Sequence, residues 1–324
     1  MITLGKRSIG KENNWERVEK IKGKTIIFFG GNTTDSEQAA NGNIKMLQRI
    51  ADLDPQDYSL LSVSYGSEVI GDNHNVLRSE VFPEIEEFFD KYFEPLLYNQ
   101  YHQIRSEQGL CKSFQRIVFF AHCAGCDVVD YLISLLRIRL ESLKEEGYKI
   151  TNVDNLIRKI QVIAYAPHQM LSQEVRALYI APLNDSQHTW HVALKSLDGK
   201  KDREYPPSFT TNCKRHWLMP GNYVTKVVKE NGFVLIQKGL NVVVIPGKIG
   251  NGNNDHSIEC LIPETLKEGQ EESKIAYMIR HSLRKSIRLF LDDSRLLSTN
   301  CHGINMRDIY DVFDSYRARE WGEE

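Results

Sequence analysis

Two cysteines three residues apart are the first candidates for chemistry in this chain. Cys123 and Cys126 lie in the stretch RIVFFAHCAGCDVVDYLISLL, residues 116–136, where an apolar run typical of a strand gives way to a helical pattern. Three interpretations fit this stretch. Cys123 is the nucleophile of a hydrolase, the two thiols form a redox pair, or both are small apolar residues in a packed turn.

The residues around Cys123 match the pattern of a nucleophile elbow. Such an elbow needs a strand, a very tight turn that strains the backbone of the nucleophile, and a helix whose N-terminus points at the site. Small residues two positions before and two positions after the nucleophile let the chain turn without clashes, and Ala121 and Gly125 occupy those positions. A helix N-terminus also favours the negative charge of a thiolate. The sequence therefore predicts a nucleophilic cysteine at position 123.

The segment AHCAG resembles the elbow of the α/β-hydrolase superfamily, which is usually G-x-S-x-G. This chain has Ala121 where the first glycine stands and Cys123 where the serine stands. Cysteine elbows of the form G-x-C-x-G occur in dienelactone hydrolases and polyhydroxyalkanoate synthases, and the segments APLND and VIAYAPH are similar to strand ends of class-3 lipases. The resemblance implies a three-layer α/β fold, with a mostly parallel central sheet and helices on both faces.

The resemblance also implies a catalytic triad in the chain order nucleophile, acid, histidine. Asp185 follows the strand-like run VRALYIAP, and His256 follows the run NVVVIPG in a loop rich in glycine and asparagine. The order Cys123, Asp185, His256 is the one that the superfamily requires. Asp255 is a substitute for the acid, although a sequence neighbour seldom reaches the far nitrogen of a histidine ring.

An oxyanion hole needs two backbone N–H donors, one from the residue after the nucleophile and one from the loop after an early strand. Ala124 follows the nucleophile, and the segment IIFFGGNTTD supplies the loop. We expect Gly31 or Asn32 to provide the second donor, because glycine lets the backbone approach a developing anion closely.

These residues predict hydrolysis of an acyl ester, thioester or amide through an acyl-enzyme, without a cofactor or a metal. Acyl transfer on the same fold fits equally, with a small molecule or an acylated compound as substrate. Four aromatic residues are candidates for lining an acyl pocket: Tyr65, Trp190, Phe209 and Trp217. Both cysteines can instead be structural, in a hydrolase fold that binds without catalysis.

Two other site chemistries remain open at this point. A strand followed by C-x-x-C and then a helix is also the layout of a thioredoxin-like redox motif. Pro167 would take the place of the proline that such folds carry. That interpretation leaves the aspartate and the histidine of the predicted triad without a role. A metal site is the last alternative, with four candidate ligands close in sequence: His168, Asp185, His188 and His191.

Alternating elements provide the framework for these residues. Continuous apolar runs at 24–31, 58–66, 116–123, 160–167, 175–182 and 241–247 predict strands covered on both faces, and amphipathic stretches at 35–53, 82–104 and 126–146 predict helices between them. Further helices are expected after residue 265. This alternation predicts one α/β domain over residues 1–324. The polar region at about 190–240 is interpreted as an insertion or cap that ends in a hairpin.

Composition restricts the class of protein and the partners that we expect. The 324 residues are 41% hydrophobic and 26% charged with a formal net charge of -2, which gives no reason to expect nucleic acid as a partner. No apolar run is long enough for a membrane span, and the N-terminal segment lacks the apolar core of a signal peptide. Six cysteines in so long a chain favour reduced thiols and a cytoplasmic location. The oligomeric state stays open.

Overall fold

The computed structural model describes residues 1–7, 15–31, 34–51, 58–66, 82–167, 171–172 and 175–182, three strands within 223–245, and residues 258, 287, 290 and 291. Its strands are β1 (Thr3–Arg7), β2 (Trp15–Arg17), β3 (Thr25–Phe29), β4 (Ser59–Ser64), β5 (Ile117–His122), β6 (Gln161–Tyr165), β7 (Arg176–Pro182), β8 (Tyr223–Val228), β9 (Gly232–Gln237) and β10 (Leu240–Ile245). Its helices are α1 (Glu37–Ala51), α2 (Phe82–Tyr92), α3 (Glu107–Phe114), α4 (Gly125–Glu145) and α5 (Val153–Ile157), with a 3-10 helix at Glu94–Leu97.

The chain divides into two compact units. The first comprises Met1–Gln48, Leu53–Ala164 and Leu171–Arg176, and the second comprises Arg49–Asp52, Tyr165–Met170 and Ala177–Glu324. The prediction of one domain with an insertion stays a prediction, since residues 183–222 lie outside the described part of the chain.

The first unit contains a mixed sheet whose strands lie in the order β2-β1-β4-β3-β5-β6. Strand β3 pairs in parallel with both β4 and β5, whereas β1 pairs antiparallel with β4 and with β2. Along their whole length β3 and β6 are buried, as expected of strands covered on both faces. The α/β class predicted from the sequence is confirmed.

In the second unit the strand order is β7-β10-β9-β8. Strand β10 pairs in parallel with β7 and antiparallel with β9, which in turn pairs antiparallel with β8. The hairpin predicted at the end of the 190–240 region is therefore present as β8 and β9. It extends the sheet beside β10.

Helix α4 packs against β3 and β5 and covers the strand that precedes it. Six of its buried residues recur every three or four positions, the spacing that gathers apolar side chains on one side of a helix: Cys126, Val129, Ile133, Leu136, Leu140 and Leu143. Helices α2 and α5 both contact α4.

One helix is shorter than the sequence pattern predicted. The amphipathic stretch 82–104 predicted a single helix, but α2 ends at Tyr92 and a 3-10 helix follows at Glu94–Leu97. Pro95 explains the difference, because a proline inside an α-helix removes one backbone hydrogen bond and its ring clashes with the preceding turn. The predicted helices after residue 265 lie almost wholly outside the described residues.

An aromatic cluster ties α2 and the segment after it to the centre of the sheet. The ring of Phe119 on β5 lies 5.6 Å from that of Phe29 on β3 and 5.6 Å from that of Phe93. Phe29 also meets Phe88 of α2 edge to face, at 6.3 Å. Such contacts add to the free energy that each ring gains by leaving water.

Replacing Phe119 by alanine should cost about 3 to 5 kcal/mol of unfolding free energy, because it removes a buried ring and leaves a cavity. Urea denaturation followed by circular dichroism measures this cost. Ile138→Ala on α4 is the control, since the Ile138 side chain is 65% exposed and its loss should change stability by less than about 0.5 kcal/mol. Equal losses in the two variants would contradict the packing described for Phe119.

Candidate active site

Cys123 occupies the turn between β5, which ends at His122, and α4, which begins at Gly125. Its φ angle is 53°, in the left-handed region that residues with a Cβ rarely adopt. The turn is closed by a hydrogen bond from the Cys126 N–H to the Cys123 carbonyl oxygen, at 3.0 Å. The strained strand-to-helix turn predicted from the sequence is confirmed for this residue. Such strain costs on the order of 1 to 3 kcal/mol and persists only where the surrounding structure imposes it.

Gly125 is the residue that makes so tight a turn possible. A Cβ placed on it would lie against the Phe29 carbonyl oxygen and 2.6 Å from the Gly30 carbonyl oxygen. The first turn of α4 therefore rests directly on the backbone at the end of β3. This contact is the physical reason for the glycine in the A-H-C-A-G pattern.

Gly31, one of the predicted oxyanion donors, lies beside the candidate nucleophile. A Cβ on Gly31 would be 3.2 Å from the Cβ of Cys123 and 3.6 Å from its sulfur. The parallel pairing of β3 with β5 explains this proximity, because the carboxyl ends of parallel neighbours lie at the same edge of a sheet. Asn32, the other predicted donor from this loop, lies outside the described residues.

Several hydrogen bonds hold the loop that carries Gly31. The Thr34 N–H donates to the Gly31 carbonyl oxygen at 3.0 Å, and the Tyr65 N–H donates to the Thr34 carbonyl oxygen at 3.0 Å. The Asn43 side-chain amide on α1 donates to the Thr34 hydroxyl at 3.1 Å, and the Tyr65 hydroxyl donates to the Gly30 carbonyl oxygen at 3.0 Å. The loop is thus attached to α1 and to the residue that follows β4.

Ala124, the other predicted oxyanion donor, is the N-cap residue of α4 and is buried. The N–H groups at the start of a helix have no acceptor within that helix, and the helix dipole makes this end partially positive. An anion that forms at Cys123 would therefore lie close to a partial positive charge. This property suits the predicted role of Ala124.

His122 belongs to the same group of residues, although the sequence did not single it out. Its side chain is half-buried, and its Nδ1 would lie 3.7 Å from a Cβ on Gly31. The imidazole and the thiol of Cys123 therefore both border Gly31. The signal available in the sequence was the position of His122 directly before the nucleophile.

The second cysteine of the C-x-x-C pattern is deeply buried on α4. Cys126 is 1% exposed, and burial raises the pKa of its thiol well above the ordinary value, with a smaller contribution from Asp127. The thiol is therefore protonated at neutral pH, which disfavours the nucleophilic role of a redox partner. Neither Cys123 nor Cys126 takes part in a disulfide bond.

Asp185 and His256 lie outside the described residues, and so do the substitute acid Asp255 and the histidines of the alternative metal site, His168, His188 and His191. The triad therefore stays a prediction for its acid and its base. Within the described part of the chain, no group of three or more His, Cys, Asp or Glu side chains is arranged to hold a metal ion.

A small apolar cavity of about 10 Å³ lies away from Cys123. Its lining includes Ile117 at the start of β5 and Ile160 just before β6, together with Phe119 and Leu136. Cys123 follows the opposite end of β5, and the cavity has no polar side chain in its lining. This cavity is therefore a packing feature and no candidate for the active site.

No protein-family model matches this chain, and the comparison with curated proteins finds no significant match. Among the described helices, none is both long enough and apolar enough to cross a membrane. The functional assignment thus depends on the geometry around Cys123.

Replacing Gly125 by alanine should destabilise the protein by about 2 kcal/mol or more, because the new methyl group would overlap the backbone at the end of β3. The free energy of unfolding in urea measures this effect. Gly42→Ala is a matched control within α1, since a Cβ on Gly42 meets nothing within 4 Å. Alanine is the better helix former, so this control should gain about 0.5 to 1 kcal/mol. A Gly125→Ala variant as stable as the control would contradict the contact between α4 and β3.

Proposed function

We propose that this protein hydrolyses an acyl ester, thioester or amide with Cys123 as the nucleophile. The observation that carries the proposal is the strained turn at Cys123, whose sulfur lies beside the backbone of Gly31. A nucleophile on such a turn is held at the end of its strand, next to backbone amides that can stabilise an anion. The same features support an α/β-hydrolase fold with three layers.

In the proposed first half-reaction, His256, oriented by Asp185, removes the proton of the Cys123 thiol. The thiolate attacks the acyl carbonyl carbon, and the carbonyl oxygen becomes an oxyanion that accepts hydrogen bonds from the N–H groups of Ala124 and Gly31 or Asn32. Collapse of this intermediate breaks the bond to the leaving group, which takes the proton from His256. A thioester on Cys123 results.

In the second half-reaction, His256 takes a proton from a water molecule that attacks the thioester carbonyl. The C–S bond then breaks, the acid is released, and the Cys123 thiol regains its proton. An acceptor alcohol or amine in place of water would make the protein an acyltransferase through the same acyl-enzyme. Six cysteines in a chain of 324 residues favour reduced thiols, which supports a cytoplasmic location.

The redox alternative has less support. A C-x-x-C oxidoreductase needs both thiols, whereas Cys126 is 1% exposed and its pKa is raised by burial. The strained φ at Cys123 and the neighbouring Gly31 also have no role in a disulfide exchange.

An inactive protein with a hydrolase fold would retain this geometry but would form no acyl-enzyme.

An acyl adduct should form on Cys123 when the protein reacts with an activated acyl ester. Intact-mass spectrometry detects the adduct, and peptide mapping locates it among the six cysteines. Cys123→Ala should abolish the adduct and the turnover of the ester. Cys126→Ala is the matched control, and it should retain both at a packing cost of about 1 kcal/mol.

Two results of this experiment would overturn the proposal. Turnover by Cys123→Ala at the native rate would exclude Cys123 as the nucleophile. A disulfide between Cys123 and Cys126 after mild oxidation, together with no adduct in the native chain, would instead favour the redox alternative.

A further inference from the structure

The hydroxyl of Tyr65 contacts the candidate oxyanion loop through a single backbone atom. Tyr65 follows β4 directly and is fully buried, and its hydroxyl donates to the Gly30 carbonyl oxygen at 3.0 Å. The backbone N–H of Tyr65 donates to the carbonyl oxygen of Thr34. One residue therefore holds both ends of the segment 30–34.

The bond to the Gly30 carbonyl also constrains the neighbouring N–H group. The carbonyl of Gly30 and the N–H of Gly31 belong to one planar, trans peptide unit, in which they point in opposite directions. Fixing the carbonyl therefore fixes the direction of the N–H. This constraint matters most between two glycines, since neither has a Cβ to restrict rotation of the peptide plane. A hydrogen bond accepted by the carbonyl also polarises the amide and strengthens its N–H as a donor.

We propose that Tyr65 is a positioning residue that holds the Gly30–Gly31 peptide so that the Gly31 N–H faces the oxyanion formed at Cys123. This inference rests on the proposed function, because it assigns Tyr65 a part in stabilising the intermediate of that reaction. It also selects Gly31 rather than Asn32 as the second oxyanion donor. Tyr65 itself does not touch the reacting atoms in this assignment.

The surroundings keep the Tyr65 hydroxyl in its donating form. Burial raises the pKa of the phenol well above its ordinary value, and the nearby Cys126, Cys123 and Asp127 raise it further. The hydroxyl therefore retains its proton when Cys123 becomes a thiolate.

Tyr65→Phe tests this inference, since it removes the hydroxyl and keeps the buried ring. Two reactions of Cys123 are compared: acylation by an activated ester, which passes through an oxyanion, and alkylation by iodoacetamide, which does not. Peptide mapping follows both reactions at Cys123. Tyr65→Phe should slow acylation by about tenfold or more, a smaller loss than removal of an oxyanion donor itself. Its alkylation rate should stay within about twofold of the native rate, because thiol reactivity is set by the thiolate.

Tyr92→Phe is the matched control. Tyr92 is also buried, 2% exposed, and its ring packs against Phe88 at 4.9 Å on α2. This control should leave both rates unchanged. A Tyr65→Phe variant that is acylated as fast as the native chain would overturn the inference alone. A parallel loss of acylation and alkylation would also overturn it, because general damage to the site would then explain both. A native chain that is alkylated but never acylated at Cys123 would overturn the proposed function and this inference with it.

Discussion

The candidate active site depends on the close contact between the first turn of α4 and the end of β3. Gly125 brings the backbone of α4 against the carbonyl oxygens of Phe29 and Gly30, where a Cβ could not fit. The chain must therefore reverse from β5 into α4 within two residues, and Cys123 takes up the left-handed conformation that this reversal requires. Cores that pack at crystalline density leave little freedom to relieve such strain elsewhere.

The same contact brings together the groups that acyl chemistry needs. Because α4 rests on β3, the loop that follows β3 lies beside the sulfur of Cys123, and the N-terminal end of α4 lies next to both. The loop is in turn held by Tyr65 and Asn43 through hydrogen bonds. A thiol, two glycines and a helix N-terminus thus meet at one edge of the sheet. Rigid backbone donors of this kind stabilise an oxyanion without reorganising during the reaction.

Short sequence patterns predicted the elements whose conformation depends on residues close together in the chain. The buried strand β5, the helix α4 and the turn at Cys123 followed from an apolar run, a helical period and two small residues. The strands β1 and β2 were missed, because β2 has only three residues and neither forms an apolar run. The attachment of Tyr65 to Gly30 spans 35 residues and arises from the pairing of β4 with β3, so the sequence pointed to Tyr65 only as a possible pocket residue.

A crystal structure of the protein with a simple aldehyde would test the central claim most directly, namely that Cys123 attacks carbonyl carbons next to a backbone oxyanion hole. Aldehydes add reversibly to thiolates and give a tetrahedral adduct that resembles the intermediate of acyl transfer. We expect continuous density from the sulfur of Cys123 to the aldehyde carbon, with the adduct oxygen about 2.7–3.1 Å from the amide nitrogens of Ala124 and Gly31. An aldehyde bound elsewhere, or an adduct oxygen directed away from both amides, would contradict the assignment of Cys123 as the nucleophile of an acyl hydrolase.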